Sequence, residues 1–186
     1  MLHAIVLLAV LTRVEAASSA DSPAEARFRE KIVFFGSADG ASSLIQTMNP
    51  DGTGLRSVLK LQGAISSGRV SPDGRSAAFS LQANGAKHPA VWILEPNGER
   101  RQIADKGLVT AWSPDGKSLA CYRSERGEWE SFLVEISTRM SRQLPSPKGD
   151  VVEDWSPDGK TLGIVAGNSQ RTFRHSTKGR SAKFIC

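Results

Sequence analysis

The sequence predicts an all-β chain built of repeated four-stranded antiparallel units. It does so first because Ser-Pro-Asp-Gly occurs three times, at Ser71–Gly74, Ser113–Gly116 and Ser156–Gly159, spaced by 42 and 43 residues. A fixed period of this length marks a repeat architecture. Second, an apolar residue precedes each copy (Val70, Trp112, Trp155), and a basic residue follows it (Arg75, Lys117, Lys160), then a short apolar run. Third, 22 residues separate Pro72 from Leu94 and again Pro114 from Ile136, so register holds within the unit as well as between units.

The tetrapeptide is a hairpin turn by its chemistry. Pro72, Pro114 and Pro157 fix φ near the value wanted at the first central position. Asp73, Asp115 and Asp158 suit the second, where a short acceptor can bond nearby backbone. Gly74, Gly116 and Gly159 supply the left-handed residue that closes such a connection. Three evenly spaced copies between strands assign these aspartates to turn building rather than to catalysis.

Taken in order, residues 1–16 read as an export signal. Ala4–Leu11 is apolar throughout, and Val14-Glu15-Ala16 offers small residues before a cut ahead of Ala17. Residues 17–30 read as a linker. Lys31–Phe35 and Leu44–Met48 are strands around a loop at Gly36–Ser43. Asn49-Pro50-Asp51-Gly52 is a turn and Leu55–Leu61 a further strand, so the first unit lacks an opening strand. Ala64–Val70, Ser76–Ser80, Ala90–Leu94 and Arg100–Ala104 form a complete unit. Leu108–Trp112, Ser118–Arg123, Trp129–Ile136 and Met140–Leu144 form the next. Val151–Trp155 and Thr161–Ala166 begin a fourth, after which the pattern fades. Residues 167–186 are a basic tail or a degenerate half-unit, with strands conceivable at Arg171–Phe173 and Lys183–Ile185.

Four short antiparallel strands recurring every ~42 residues is the sequence form of a β-propeller blade. VSPDGRSAAF, WSPDGKSLAC and WSPDGKTLGI resemble the WSPDG repeat of TolB-like propellers, which are related to WD-type propellers, and MNPDGTGLR resembles the second hairpin of the same repeat. The similarity covers residues 31–166. It implies a ring of about six or seven blades, whereas residues 17–186 hold three to four. An open or truncated ring is therefore expected over a small closed one. The terminal blades of an open ring would present apolar faces, a route to self-association.

Composition narrows the function. The hydrophobic fraction of 39% and charged fraction of 23% fit a folded domain. No apolar run reaches the ~18 residues of a transmembrane span. The net charge of +5 sits in the tail, where Arg171, Arg174, Lys178, Arg180 and Lys183 have no acid among them, while the repeat body is neutral. A nucleic-acid binder should instead carry its basic face on the folded domain. Cys121 takes the repeat position of Phe79 and Ile164 and reads as a small buried apolar side chain; only geometry could support a disulfide to Cys186.

His3, His88 and His175 are scattered, without zinc-ligand spacing, and no cofactor motif is present. Ser57 and Lys60 match Ser-x-x-Lys by chance, on a strand and without companion motifs. Asn49–Gly54 resembles a calcium loop, but Lys60 stands where the twelfth-position glutamate is needed. Trp92, Trp112, Trp129 and Trp155 read as packing between blades.

The Ser-Pro-Asp-Gly turns and second hairpins should share one face, and the loops between second and third strands the other. Those loops vary while the turns do not, and variable loops on a rigid scaffold are where recognition resides. Asp39, Lys87, His88, Glu125, Arg126 and Glu128 are the candidate residues of a protein- or peptide-binding rim. The expected function is a non-enzymatic, exported module for protein interaction, periplasmic or extracellular; the resemblance implies periplasmic scaffolding without naming a partner. The alternatives are a fragment of the gating propeller of a prolyl-oligopeptidase-like peptidase, or a truncated product without independent function.

Overall fold

A computed structural model of the chain describes residues 10–11, 28–37, 39, 41–145, 149–165, 172–176 and 182–184. Among these there is no helix, and the strands form four antiparallel sheets, each in sequence order. The first sheet holds β1 (Val10–Leu11), β2 (Ile32–Ser37), β3 (Ser42–Met48) and β4 (Arg56–Gln62). The second holds β5 (Ala64–Val70), β6 (Ala77–Gln82), β7 (Ala90–Leu94) and β8 (Arg100–Ala104). The third holds β9 (Leu108–Trp112), β10 (Ser118–Glu125), β11 (Glu128–Glu135) and β12 (Ser141–Gln143). The fourth holds β13 (Val151–Trp155), β14 (Thr161–Val165), β15 (Thr172–Ser176) and β16 (Ala182–Phe184).

Each sheet packs on the next through its inner strands, β2 on β5, β5 on β9 and β9 on β13. Among the described residues no strand of the first sheet packs extensively on the fourth. The chain is thus an incomplete propeller of four blades. One detail differs from the sequence reading. The first blade does have an opening strand, since Val10–Leu11 pairs with Ile32–Val33 inside the segment read as an export signal. Of the two readings of residues 167–186, the strands fit the half-unit: Thr172–Ser176 pairs with β14 and Ala182–Phe184 with β15, shifted slightly from the stretches expected. None of these three strands announces itself: β1 is two residues long, and no Asn-Gly or Asp-Gly turn separates β15 from β16.

Three apolar layers lie between the four sheets. Strand β6 shows why, because it is buried on both faces. Its Ala77, Phe79 and Leu81 join Val33, Phe35 and Ile45 of the first sheet, while Ala78 points the other way to Val109, Leu119 and Phe132 of the third. The last layer unites Ala111, Ala120 and Leu133 with Val152 and Leu162. Trp92, Trp112 and Trp155 border the three layers in turn, as packing side chains. Cys121 is a free, fully buried thiol in the second layer. Burial alone raises its pKa far above the ordinary thiol range. Cys186 lies outside the described residues.

Polar groups also cross each junction. The amide of Ile65 donates to Ser43 Oγ at 3.0 Å, that of Val109 to Ser80 Oγ at 2.8 Å, and that of Val152 to Ser131 Oγ at 2.8 Å. All three serines are buried. Ser43 and Ser131 pass their own hydroxyl protons to the carbonyls of Gly63 and Asp150. An amide at the start of each inner strand, with no ladder partner on that side, is satisfied by the preceding blade. Leaving such a buried donor unpaired would cost about 1–3 kcal/mol.

Candidate recognition surface

The three Ser-Pro-Asp-Gly turns share one hydrogen-bond pattern. In the first, Ser71 Oγ donates to Asp73 Oδ1 at 2.5 Å, the Arg75 amide reaches the same oxygen at 3.0 Å, and the Ser76 amide donates to Ser71 Oγ at 2.9 Å. The same bonds recur around Asp115 and Asp158. In both, the bond from the turn serine is the chief reason the carboxyl is held below its ordinary range. Gly74, Gly116 and Gly159 have φ of +70°, +70° and +69°. Asn49–Thr53 is likewise a hairpin turn, with Asp51 Oδ1 accepting from the amide and hydroxyl of Thr53.

The opposite face carries the variable loops. Asp39 organises the first of them. Its Oδ1 accepts from the Ser42 hydroxyl at 2.7 Å and from the amides of Ser42 and Ala41 at 2.8 and 3.1 Å, and its Oδ2 faces Lys60 Nζ at 3.4 Å. The Ser42 hydroxyl, then these amides, hold its pKa down at about 2 from an ordinary 3.8. The unfolded chain therefore binds this proton first as acid is added. The loop's contribution to stability is complete above pH ~4 and is lost as pH falls towards 2. A carbon-detected NMR titration of Asp39 should give a midpoint near 2; a midpoint at 3.8 or higher would contradict the geometry.

The loops of the second and third blades lie on this face, and Lys106, in the connection between the two blades, reaches the third blade's hairpin. Lys87 and His88 are exposed on one side. On the other, β10 and β11 run up to Glu125 and Glu128, which pair directly. The loop expected at Ser124–Glu128 thus shrinks to Arg126 and Gly127, with φ of +52° and +84°. Positive φ at both central residues is the two-residue turn that matches strand twist.

Glu125 Oε1 lies 3.1 Å from Lys106 Nζ and 3.5 Å from Arg123 Nε. Its pKa is lowered first by the Lys106 hydrogen bond, then by the charges of Lys106, Arg123 and His88. Arg123 also reaches Glu130 at 3.9 Å and covers the Phe132 ring at 4.8 Å.

Trp129 corrects a sequence expectation. It does not pack between blades: it is 42% exposed and meets Tyr122 edge-on, ring centres 5.3 Å apart at 74°. The structure thus groups Glu125 of the predicted rim with Lys106 and Arg123 on one face of the third-blade hairpin, sets Tyr122 and Trp129 on its other face, and leaves Asp39 with its own blade. Arg126 and Glu128 stand exposed at the hairpin tip. Glu128 and Glu130 flank Trp129 in the period-2 alternation that reads as an inward-facing tryptophan, so the local sequence carries no signal of its exposure.

No family model matches the chain, and no curated protein sequence matches it. Solved structures do. TolB from Acinetobacter baumannii superposes with a TM-score of 0.71 at 26% identity, over 84% of this chain and 41% of that one. A structure assigned as TolB from Agrobacterium tumefaciens gives 0.65 at 19% identity, over 83% and 57%. A prolyl endopeptidase gives 0.63 at 14% identity, over 83% and 28%. The chain has the TolB-like propeller fold and spans about two-fifths to three-fifths of the TolB structures it resembles.

Proposed function

We propose that this chain is an exported propeller module that binds a protein partner through the face formed by residues 83–89 and 122–130. The observation that carries the reading is Trp129. A half-exposed indole braced edge-on by Tyr122 has the character of an interface anchor, and Lys106, Arg123 and Glu125 form a polar cluster on the other face of the same hairpin. The braced rings lose little freedom on contact, and the ion pairs on the other face of the hairpin can steer a charged partner.

Export is supported by the apolar run at Ala4–Leu11 in the sequence, and among the described residues no helix is long and apolar enough to cross a membrane. Removing residues 1–16 would also take β1 from the first sheet, so the amino terminus of the mature protein decides between the two uses of that segment. The likeness to a prolyl endopeptidase supports a second reading, a peptidase's gating propeller, which requires a hydrolase domain beyond these residues.

Tagged wild type and Trp129→Ala are to be compared by quantitative affinity capture from the producing cells. Leu55→Ala is the control, since Leu55 is 61% exposed on the opposite face. A partner should bind wild type and Leu55→Ala equally and Trp129→Ala about 30-fold less, the effect of losing an anchor worth ~2 kcal/mol. Equal capture by all three would reject this face.

A further inference from the structure

A second recognition feature lies on the other face. Between the first two Ser-Pro-Asp-Gly turns is a groove of about 470 Å³. Its lining includes Pro72, Pro114, Ile93, Ile136 and the indole of Trp112, and every charged residue in that lining is an acid: Asp73, Glu95 and Asp115. Glu95 is paired with Arg101 at 2.9 Å. Among the described residues neither Asp73 nor Asp115 is in an ion pair. Each gives its Oδ1 to its own turn.

The groove is rigid. The turns on either side are cross-bonded, Trp112 Nε1 donates to the Arg69 carbonyl at 3.1 Å, and Arg101 bridges the two blades by donating to the Ile136 carbonyl at 2.8 Å.

We infer that this groove receives a lysine or arginine side chain from a polypeptide partner. The apolar walls fit the aliphatic stem of such a residue, which gains by leaving water. The Trp112 indole forms part of the wall beside the stem, and the two aspartates supply the counter-charge for the head. An acidic side chain would meet like charge at both ends, and a purely apolar one would bury the aspartates without a counter-charge. The groove stands independently of the loop face, because it uses neither its residues nor its partner.

The test uses the full chain labelled with nitrogen-15 and follows the Trp112 indole proton while acetyl-Ala-Lys-Ala-amide, its arginine counterpart and its glutamate counterpart are added. The lysine and arginine peptides should shift the Trp112 signal saturably in the millimolar range, and the glutamate peptide should not. The double variant Asp73→Asn, Asp115→Asn keeps the Oδ1 acceptors of the turns while removing both charges. It should still fold, with a melting temperature somewhat lowered by the loss of charge-assisted turn bonds, and bind at least fivefold more weakly. Single Asn variants with intermediate affinities provide the same reading should the double variant fold poorly. No shift at Trp112, equal shifts from the glutamate peptide, affinities indifferent to the Asn replacements, or shifts confined to Trp129 would each overturn the inference.

Discussion

Phe79→Ala is expected to lower the free energy of unfolding by about 3–5 kcal/mol. Phe79 is fully buried on β6, in the layer between the first two blades, with Val33, Phe35, Ile45 and Leu81 in the same cluster. Truncation removes the transfer energy of the ring and leaves a void. Sheets fixed by their hydrogen-bond ladders cannot collapse fully into it. Stability of a domain this size is on the order of 5–15 kcal/mol, so one substitution would remove a large share. Urea denaturation followed by tryptophan fluorescence should show the midpoint falling, while Leu55→Ala, on an exposed side chain, should stay within about 0.5 kcal/mol of wild type. A Phe79→Ala midpoint equal to wild type would mean that the first two blades do not share this layer.

Gly63→Ala is expected to be comparably severe, for a different reason. Gly63 makes the crossover from β4 to β5, with φ of +109°. A Cβ there would lie 2.2 Å from the carbonyl oxygen of Gln82 and 2.9 Å from Ala83 Cα. Both are backbone atoms, so no rotamer change relieves the overlap. Gly63 also donates its amide to the Ala41 carbonyl at 2.9 Å and accepts the Ser43 hydroxyl at 2.9 Å, which ties it to the first blade while it starts the second. Backbone strain of about 1–3 kcal/mol adds to a similar cost of forced displacement, about 1–3 kcal/mol. Gly85→Ala separates the two contributions. Its φ is +80° but a Cβ meets nothing within 4 Å, so only the left-handed strain of about 1–2 kcal/mol remains. Thermal unfolding should rank the proteins wild type, Gly85→Ala, Gly63→Ala in falling order.

These two positions show what the sequence makes legible. Phe79 lies in an apolar run after a Ser-Pro-Asp-Gly turn, and a short apolar run at a fixed place in the repeat is enough to place it in a core. Gly63 carries no motif; its importance depends on where Gln82 comes to lie, which only the assembled sheets determine. The same holds for Ser43, Ser80 and Ser131. Serine on a strand usually faces water, and these three are buried because the next blade's first amide needs an acceptor. The turns were fully readable, since proline, aspartate and glycine act within four residues. The short β1 and the outer strands of the fourth blade were not, since pairing with a neighbour rather than local propensity defines them.

The proposed recognition face divides in the same way. Lys87, His88, Glu125, Arg126 and Glu128 follow from loop position. Trp129 does not, because tryptophan on a strand is ordinarily core, and here the hairpin extends until the indole meets water beside Tyr122. Lys106 belongs to a connection between blades, outside the loops that the repeat singles out, yet its bond to Glu125 ties the second blade's exit to the third blade's hairpin.

Hydrogen exchange of the chain, alone and with the partner captured through the loop face, tests the central claim most directly. Slowed exchange should be confined to residues 83–89, 105–108 and 122–130, with the turns at 71–76 and 113–118 unchanged apart from any contact of the groove between them. Protection that leaves 122–130 untouched, or that spreads over the sheets without reaching the loops, would contradict it.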